Sequence, residues 1–145
     1  MRIHELGHLV LYVSNLTKSA DFYKTVLGFT EIHRDLHTAL YSSGRTHHEL
    51  LLIEVGGTPD VKAYPKPGLY HIGFKIGNSD DELRSAITEL TKEGVTIVGS
   101  ANHHVTHSLY ILDPDDNEIE LYIDVDDSWK TDTKKIMQRA EQLHL

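Results

Sequence analysis

A repeat inside the chain limits its fold more than any other feature. Gly7-His8-Leu9-Val10-Leu11-Tyr12-Val13-Ser14-Asn15 reads as a strand running into a helix cap. Tyr70-His71-Ile72-Gly73-Phe74-Lys75-Ile76-Gly77-Asn78 repeats that plan 63 positions later. Both stretches are rich in β-branched and aromatic residues, as strands require. A helix is expected after each. The first covers 17–27, with Ala20, Tyr23, Val26 and Leu27 at helical spacing and Gly28 as the stop. The second covers 80–93, with Leu83, Ala86, Ile87 and Leu90 on one face and Gly94 as the stop. Three strands then follow in each half, over 29–35, 38–43 and 49–55 and over 95–98, 107–113 and 118–125. Turn signals separate them: Ser42-Ser43-Gly44-Arg45 in the first half and Asp113-Pro114-Asp115-Asp116-Asn117 in the second.

Each half is thus βαβββ. Neither module alone can cover the apolar face of its sheet, and two together can close a curved mixed sheet around a cavity. The expected fold class is α+β, with paired βαβββ modules around a metal-binding cavity and a C-terminal helix. A length of 145 residues suits one domain spanning 1–145. Module 1 covers about 3–56, and a linker over 57–68 carries Pro59, Pro65 and Pro67. Module 2 covers about 69–126, and the tail over 127–145 reads as helical, with Trp129, Ile136, Met137, Ala140 and Leu143 as its apolar residues.

The net charge of −8 disfavours nucleic acid and anionic lipid as partners, because both need a basic face. Cysteine is absent, which excludes disulfides and thiolate metal sites. There is no long apolar run to span a membrane. The opening MRIHELGHLVLYVS shows no export signal, so the expected location is cytoplasmic. Without such a signal, Asn15-Leu16-Thr17 reads as a helix cap rather than a glycosylation site.

Histidine is the unusual residue, with 11 copies. His8 and His71 hold equivalent places in the two first strands. Glu120 sits in the last strand within Ile119-Glu120-Leu121-Tyr122, where a carboxylate is costly to bury unless something offsets it. If the modules pair about a pseudo-twofold axis, the three side chains point into one cavity. Two imidazoles and one carboxylate make the facial set of non-haem Fe(II) sites, which leaves adjacent positions open. Mn(II) also fits that set, and so does Zn(II). The plainer alternative makes His8 a hydrogen-bonded core residue and Glu120 a solvent-facing one. His4-Glu5-Leu6-Gly7-His8 spells the H-E-x-x-H of zinc proteases, but that motif works only on a helix, and the residues after Gly7 read as a strand.

The paired modules with His8, His71 and Glu120 resemble the vicinal oxygen chelate superfamily, which includes glyoxalase I, fosfomycin-resistance proteins, bleomycin-binding proteins and extradiol ring-cleaving dioxygenases. The most specific stretches are Phe22-Tyr23-Lys24-Thr25-Val26-Leu27-Gly28-Phe29 and Asp113-Pro114-Asp115-Asp116-Asn117-Glu118-Ile119-Glu120-Leu121. Asp116 stands where the family turn usually has Gly, and Asp tolerates a left-handed backbone. Glyoxalase I has a fourth, carboxylate ligand on the last strand of its first module. Laying Leu50-Leu51-Leu52-Ile53-Glu54-Val55 over Glu120-Leu121-Tyr122-Ile123-Asp124-Val125 puts Leu50 at that place, so three protein ligands are expected.

The extradiol dioxygenases resemble the chain more closely. His48-Glu49-Leu50-Leu51-Leu52-Ile53 is similar to the stretch with their acid–base His, which implies that role for His48. His103-His104-Val105-Thr106-His107-Ser108-Leu109-Tyr110 is similar to the segment with an active-site His and a Tyr. The resemblance implies that His103 and Tyr110 orient substrate and support proton transfer, with His107 a further candidate. A bound catechol needs a base nearby, and donors beside a metal stabilise charge developing on oxygen. The resemblance implies an Fe(II) dioxygenase acting on a catechol-like small molecule, with Mn(II), Zn(II) or Ni(II) as alternative metals. It also implies a homodimer or higher homo-oligomer, because many family dioxygenases have two such domains and this chain has one. Two rivals stay open. One is a glyoxalase-type lyase or isomerase, favoured if Glu49 or Glu54 aims at the metal. The other is a metal-free, non-catalytic small-molecule-binding protein.

Overall fold

Alternating apolar residues build two four-stranded sheets of the same topology. The computed structural model describes residues 1–58 and 67–145, and the central part of the linker expected over 57–68 lies outside them. The chain divides into two compact units, Met1–Lys62 and Ala63–Leu145, each carrying one module. The first contains β1 (Leu9–Val13), α1 (Leu16–Asp21), β2 (Thr30–Arg34), β3 (Thr38–Ser42) and β4 (Leu50–Glu54). The second contains β5 (His71–Gly77), α2 (Asp80–Lys92), β6 (Ile97–Asn102), β7 (Thr106–Leu112) and β8 (Glu118–Asp124). The sheet orders are β1-β4-β3-β2 and β5-β8-β7-β6. In each, the first and last strands run parallel and the other pairs antiparallel.

Side chains two apart along a strand share a face. In the first unit Leu11, Val13, Ala39, Tyr41, Leu50 and Leu52 fill the core with Leu16, Ala20 and Tyr23 of the helix segment. In the second, Leu109, Ile111, Ile119, Leu121 and Ile123 are buried with Leu83 and Leu90 of α2. Truncating one of these large aliphatics to alanine costs about 2–5 kcal/mol.

Both helices start on a side-chain cap. Asn15 accepts from the Lys18 amide at 2.9 Å, and Ser79 accepts from Glu82 N. Such caps satisfy amides that the helix itself leaves unpaired. The first helix is not α-helical throughout, as the spacing over 17–27 suggests. It widens into a π turn over Phe22–Val26, where Leu27 N donates to the Phe22 carbonyl at 3.1 Å. Phe22 and Tyr23, adjacent in sequence, are both buried there.

The tail departs further from the single helix expected over 127–145. It forms two short 3-10 turns, Ser128–Lys130 and Thr133–Met137. It then runs extended, with Glu141 bridged to Asn102 of β6 by two backbone hydrogen bonds of 2.8 and 3.0 Å. Asp126 accepts from Ser128 N just before the first turn and Asp132 caps the second at Lys134 N, and the apolar residues of 127–145 do not line up on one helix face. Among the described residues, no helix is long and apolar enough to cross a membrane.

Candidate metal centre

Strand parity gathers polar side chains on one face of the sheet in the second unit. The parallel ladder of β5 and β8 sets His71 opposite Glu118 and Gly73 opposite Glu120. The antiparallel ladder of β7 and β8 sets Tyr110 opposite Glu120 and Ser108 opposite Tyr122. The apolar residues of β7 and β8 take the face that α2 covers. His71, Gly73, Ser108, Tyr110, Glu118 and Glu120 therefore share the other face.

His71 Nε2 lies 3.1 Å from Glu120 Oε2. Gly73 makes room for this approach, since a Cβ there would stand 3.4 Å from the same carboxylate oxygen. The other oxygen, Oε1, accepts from the fully buried Ser108 hydroxyl at 2.6 Å and from the Tyr110 phenol at 3.3 Å. Tyr110 Oη is 2.9 Å from His103 Nε2, whose role as donor or acceptor follows its tautomer. Burial, and then the charge of Glu120, push the Tyr110 phenol up to about 12. The phenol thus keeps its proton at neutral pH and serves as a donor. On the far side of the imidazole, His71 Nδ1 lies 3.6 Å from Glu118 Oε1, too long for a hydrogen bond. Both atoms are buried without a partner.

The first unit gathers histidines. The His8 and His48 rings are 4.6 Å apart at their centroids, and those of His47 and His48 are 4.5 Å apart. His47 Nδ1 and His48 Nδ1 approach to 2.6 Å, so one donates and the other accepts. Desolvation, then the neighbouring imidazoles of His47 and His8, hold His48 below the ordinary histidine range.

The ladders correct the offset between the modules by one residue. Leu9, next after His8, pairs with Leu50, and Ile72, next after His71, pairs with Ile119. Leu50 therefore matches Ile119, and Leu51, not Leu50, matches Glu120. Leu51 cannot bind metal either, so the absence of a carboxylate at this place stands. The nearby carboxylates are engaged locally. Glu49 accepts from Ser43 N at 2.7 Å and Ser43 Oγ at 3.0 Å, beside Arg45 at 3.4 Å. Glu54 accepts from the Leu16 amide at 2.6 Å.

Of the residues singled out from sequence, the structure brings together His71, Glu120, Tyr110 and His103 in one unit, and His8 and His48 in the other. Among the described residues, no three His, Asp or Glu side chains are drawn around one point as a metal site; His71 and Glu120 approach each other as a pair. His107 belongs elsewhere. Its parity is that of Leu109 and Ile111, and its Nδ1 meets Asp80 Oδ1 of α2 at 2.6 Å. Sequence reading missed Ser108 and Glu118. The signal was their two-residue spacing from Tyr110 and Glu120. The donor set suits a divalent metal: an imidazole nitrogen faces a carboxylate oxygen, and the far atom of each group meets or approaches a further polar side chain.

Residues 5–121 match the model of the Glyoxalase/Bleomycin resistance protein/Dioxygenase superfamily. Over 129 residues the chain is 33% identical to a catechol-2,3-dioxygenase of Bacillus subtilis, covering 84% of this chain but only 43% of that protein's length. It is 31% identical over 124 residues to the glutathione transferase FosA of Serratia marcescens, covering 83% of this chain and 82% of the relative. Among solved structures, a glyoxalase/dioxygenase from Nostoc punctiforme superposes with a TM-score of 0.68 at 20% identity, covering 84% of this chain and 92% of the other. At that identity the likeness concerns the fold alone.

Proposed function

The chain belongs to the glyoxalase/bleomycin resistance protein/dioxygenase superfamily, and from that premise we propose that it is an extradiol dioxygenase opening a catechol-like aromatic diol with O₂. The observation that carries this reading is the paired His71 and Glu120, backed by the Tyr110 phenol and by the His103 imidazole behind it. The likeness to a catechol-2,3-dioxygenase supports it.

In this reading His8, His71 and Glu120 hold one divalent metal. Iron(II) is favoured over Mn(II), Zn(II) and Ni(II) because the reaction consumes O₂. The metal supplies adjacent open positions for a diol and dioxygen. The protein's own groups do the rest. Ser108 and Tyr110 fix Oε1 of Glu120, which leaves Oε2 on the His71 side. Tyr110 offers a phenolic proton that burial keeps in place, and His103 holds the phenol from behind. His48, held below the usual histidine range, is neutral at physiological pH and able to accept a proton from a diol. A homo-oligomer completing the substrate pocket is part of the proposal.

A second reading, a metal-dependent transferase or lyase, has one observation in its favour: the chain matches FosA over nearly that relative's whole length. The commitment of Glu49 and Glu54 to Ser43 and Leu16 weighs against a four-ligand version of it. Anaerobic reconstitution with Fe(II), then oxygen uptake and product spectra over a panel of catechols, separates the readings. The expected result is a yellow ring-opened product from at least one diol, lost in H71A and E120Q along with metal binding. Turnover of thiol adducts with no oxygen uptake from any diol would overturn the dioxygenase reading. A chain that binds catechols but takes up no metal would be a binding protein.

A further inference from the structure

We infer that Glu118 is a positioning residue that holds the His71 imidazole with its proton on Nδ1, so that the Nε2 lone pair faces the Glu120 side. The inference rests on the metal reading above and adds to it a carboxylate on the opposite side of the ring.

The two buried polar atoms without a partner, His71 Nδ1 and Glu118 Oε1, are each other's neighbours at 3.6 Å. A buried nitrogen and a buried carboxylate oxygen left unpaired are both unfavourable, and nearly all such groups find a partner. These two need only each other. Ladder register sets the two side by side, because His71 and Glu118 are direct partners across the parallel pair of β5 and β8.

Imidazole is ambidentate. The nitrogen that carries the proton cannot offer a lone pair, so an acceptor beside Nδ1 selects Nε2 as the ligating atom and fixes the ring plane. Glu120 cannot do this for His71, because it lies on the Nε2 side. Among the groups described around the ring, Glu118 is the acceptor placed on the Nδ1 side.

The test compares the full chain with E118L and E118Q, using Zn(II) as probe. Affinity is read by titration, and the His71 ring N–H by ¹⁵N-resolved NMR of the Zn(II)-loaded protein. Removing such a partner weakens metal affinity about 10–100-fold. We expect a loss of that order in E118L, together with loss of the slowly exchanging Nδ1–H signal seen in the unaltered chain. In E118Q the side-chain carbonyl still accepts, so affinity and signal recover most of the way. E118L that binds Zn(II) as tightly as the unaltered chain, with the Nδ1–H signal intact, overturns the role of Glu118 and leaves the metal reading standing. An unaltered chain that binds no Zn(II), Fe(II) or Mn(II) overturns both.

Discussion

Replacing Ser108 by alanine probes the centre most directly. Its hydroxyl donates to Glu120 Oε1 at 2.6 Å, the short distance of a bond to a charged acceptor, and the residue is fully buried. Hydrogen bonds to charged groups contribute about 1.5–3 kcal/mol net. S108A leaves Oε1 with only the longer bond from Tyr110, at 3.3 Å. For a chain of this size each kcal/mol moves the melting temperature by about 3 °C. The metal-free variant should then melt about 4–10 °C below the unaltered chain.

Metal affinity should change less. If the Ser108 bond is equally strong with and without metal, it cancels from the binding equilibrium. What remains is the freedom the carboxylate gains in the metal-free variant. Fixing one such side-chain torsion costs about 0.5–1 kcal/mol. That amounts to a two- to five-fold weaker dissociation constant, roughly. Differential scanning calorimetry and anaerobic titration of the same samples read the two numbers. A melting temperature within about 1 °C of the unaltered chain would refute the reasoning, because the charged bond would then contribute less than about 0.5 kcal/mol.

Acid stability should depend on Glu31. Burial pulls its pKa up, but bonds from Arg34 and Tyr41 outweigh that and leave it below 4.5. Its contribution is therefore complete above pH 4.5 and lost as pH falls through the lower folded value. E31Q should flatten that limb of a melting-temperature series, and an unchanged slope would contradict it. G77A should unseat the cap of α2, because a Cβ there runs into the Glu82 carboxylate that holds Asn78 N at 2.8 Å and Ser79 Oγ at 2.9 Å. The expected loss is about 1 kcal/mol, and it should not add to that of E82A when thermal melts of the double variant are compared.

The strands were legible because period-two alternation is strong wherever one face is buried. β6 is the instructive exception. Sequence reading places a strand over 95–98, whereas the structure extends it through Gly99, Ser100, Ala101 and Asn102. Those residues have no branched side chains and look like loop, yet each is held by pairing with β7. Gly99 is small because the Tyr110 ring lies against it, 3.4 Å from where a Cβ would sit. The tail failed for the opposite reason: its apolar residues have helical spacing, but side-chain caps and a bridge to β6 hold it in other conformations. Around Glu120, the grouping of His71, His103 and Tyr110 was legible from their residue types and strand positions. Ser108 and Glu118 were not, since a serine and a glutamate acquire meaning only through the register that sets them beside Glu120 and His71. His107 had the right residue type and the wrong parity.

Register also shows how a duplicated plan becomes asymmetric. Matching the ladders sets Leu51 against Glu120, and Leu40, which pairs with Leu51, against Tyr110. Glu49, whose carbonyl accepts from Leu9 N at 2.8 Å, stands where Glu118 does. The first module thus keeps the same strand order while the open face of its sheet carries Val10, Tyr12, Leu40, Leu51 and Ile53. Its polar groups collect at the strand ends, where Glu49 is held by Ser43 and Arg45 and His8 lies against His48. In the second module the same face carries His71, Glu118, Glu120, Ser108 and Tyr110. The large buried side chains of the strands are apolar in both modules, while the positions on the other face differ in kind. The apolar core and the polar cluster around Glu120 therefore sit on opposite faces of the same strands. A substitution such as E118L can alter the polar cluster while leaving the strand pairing intact.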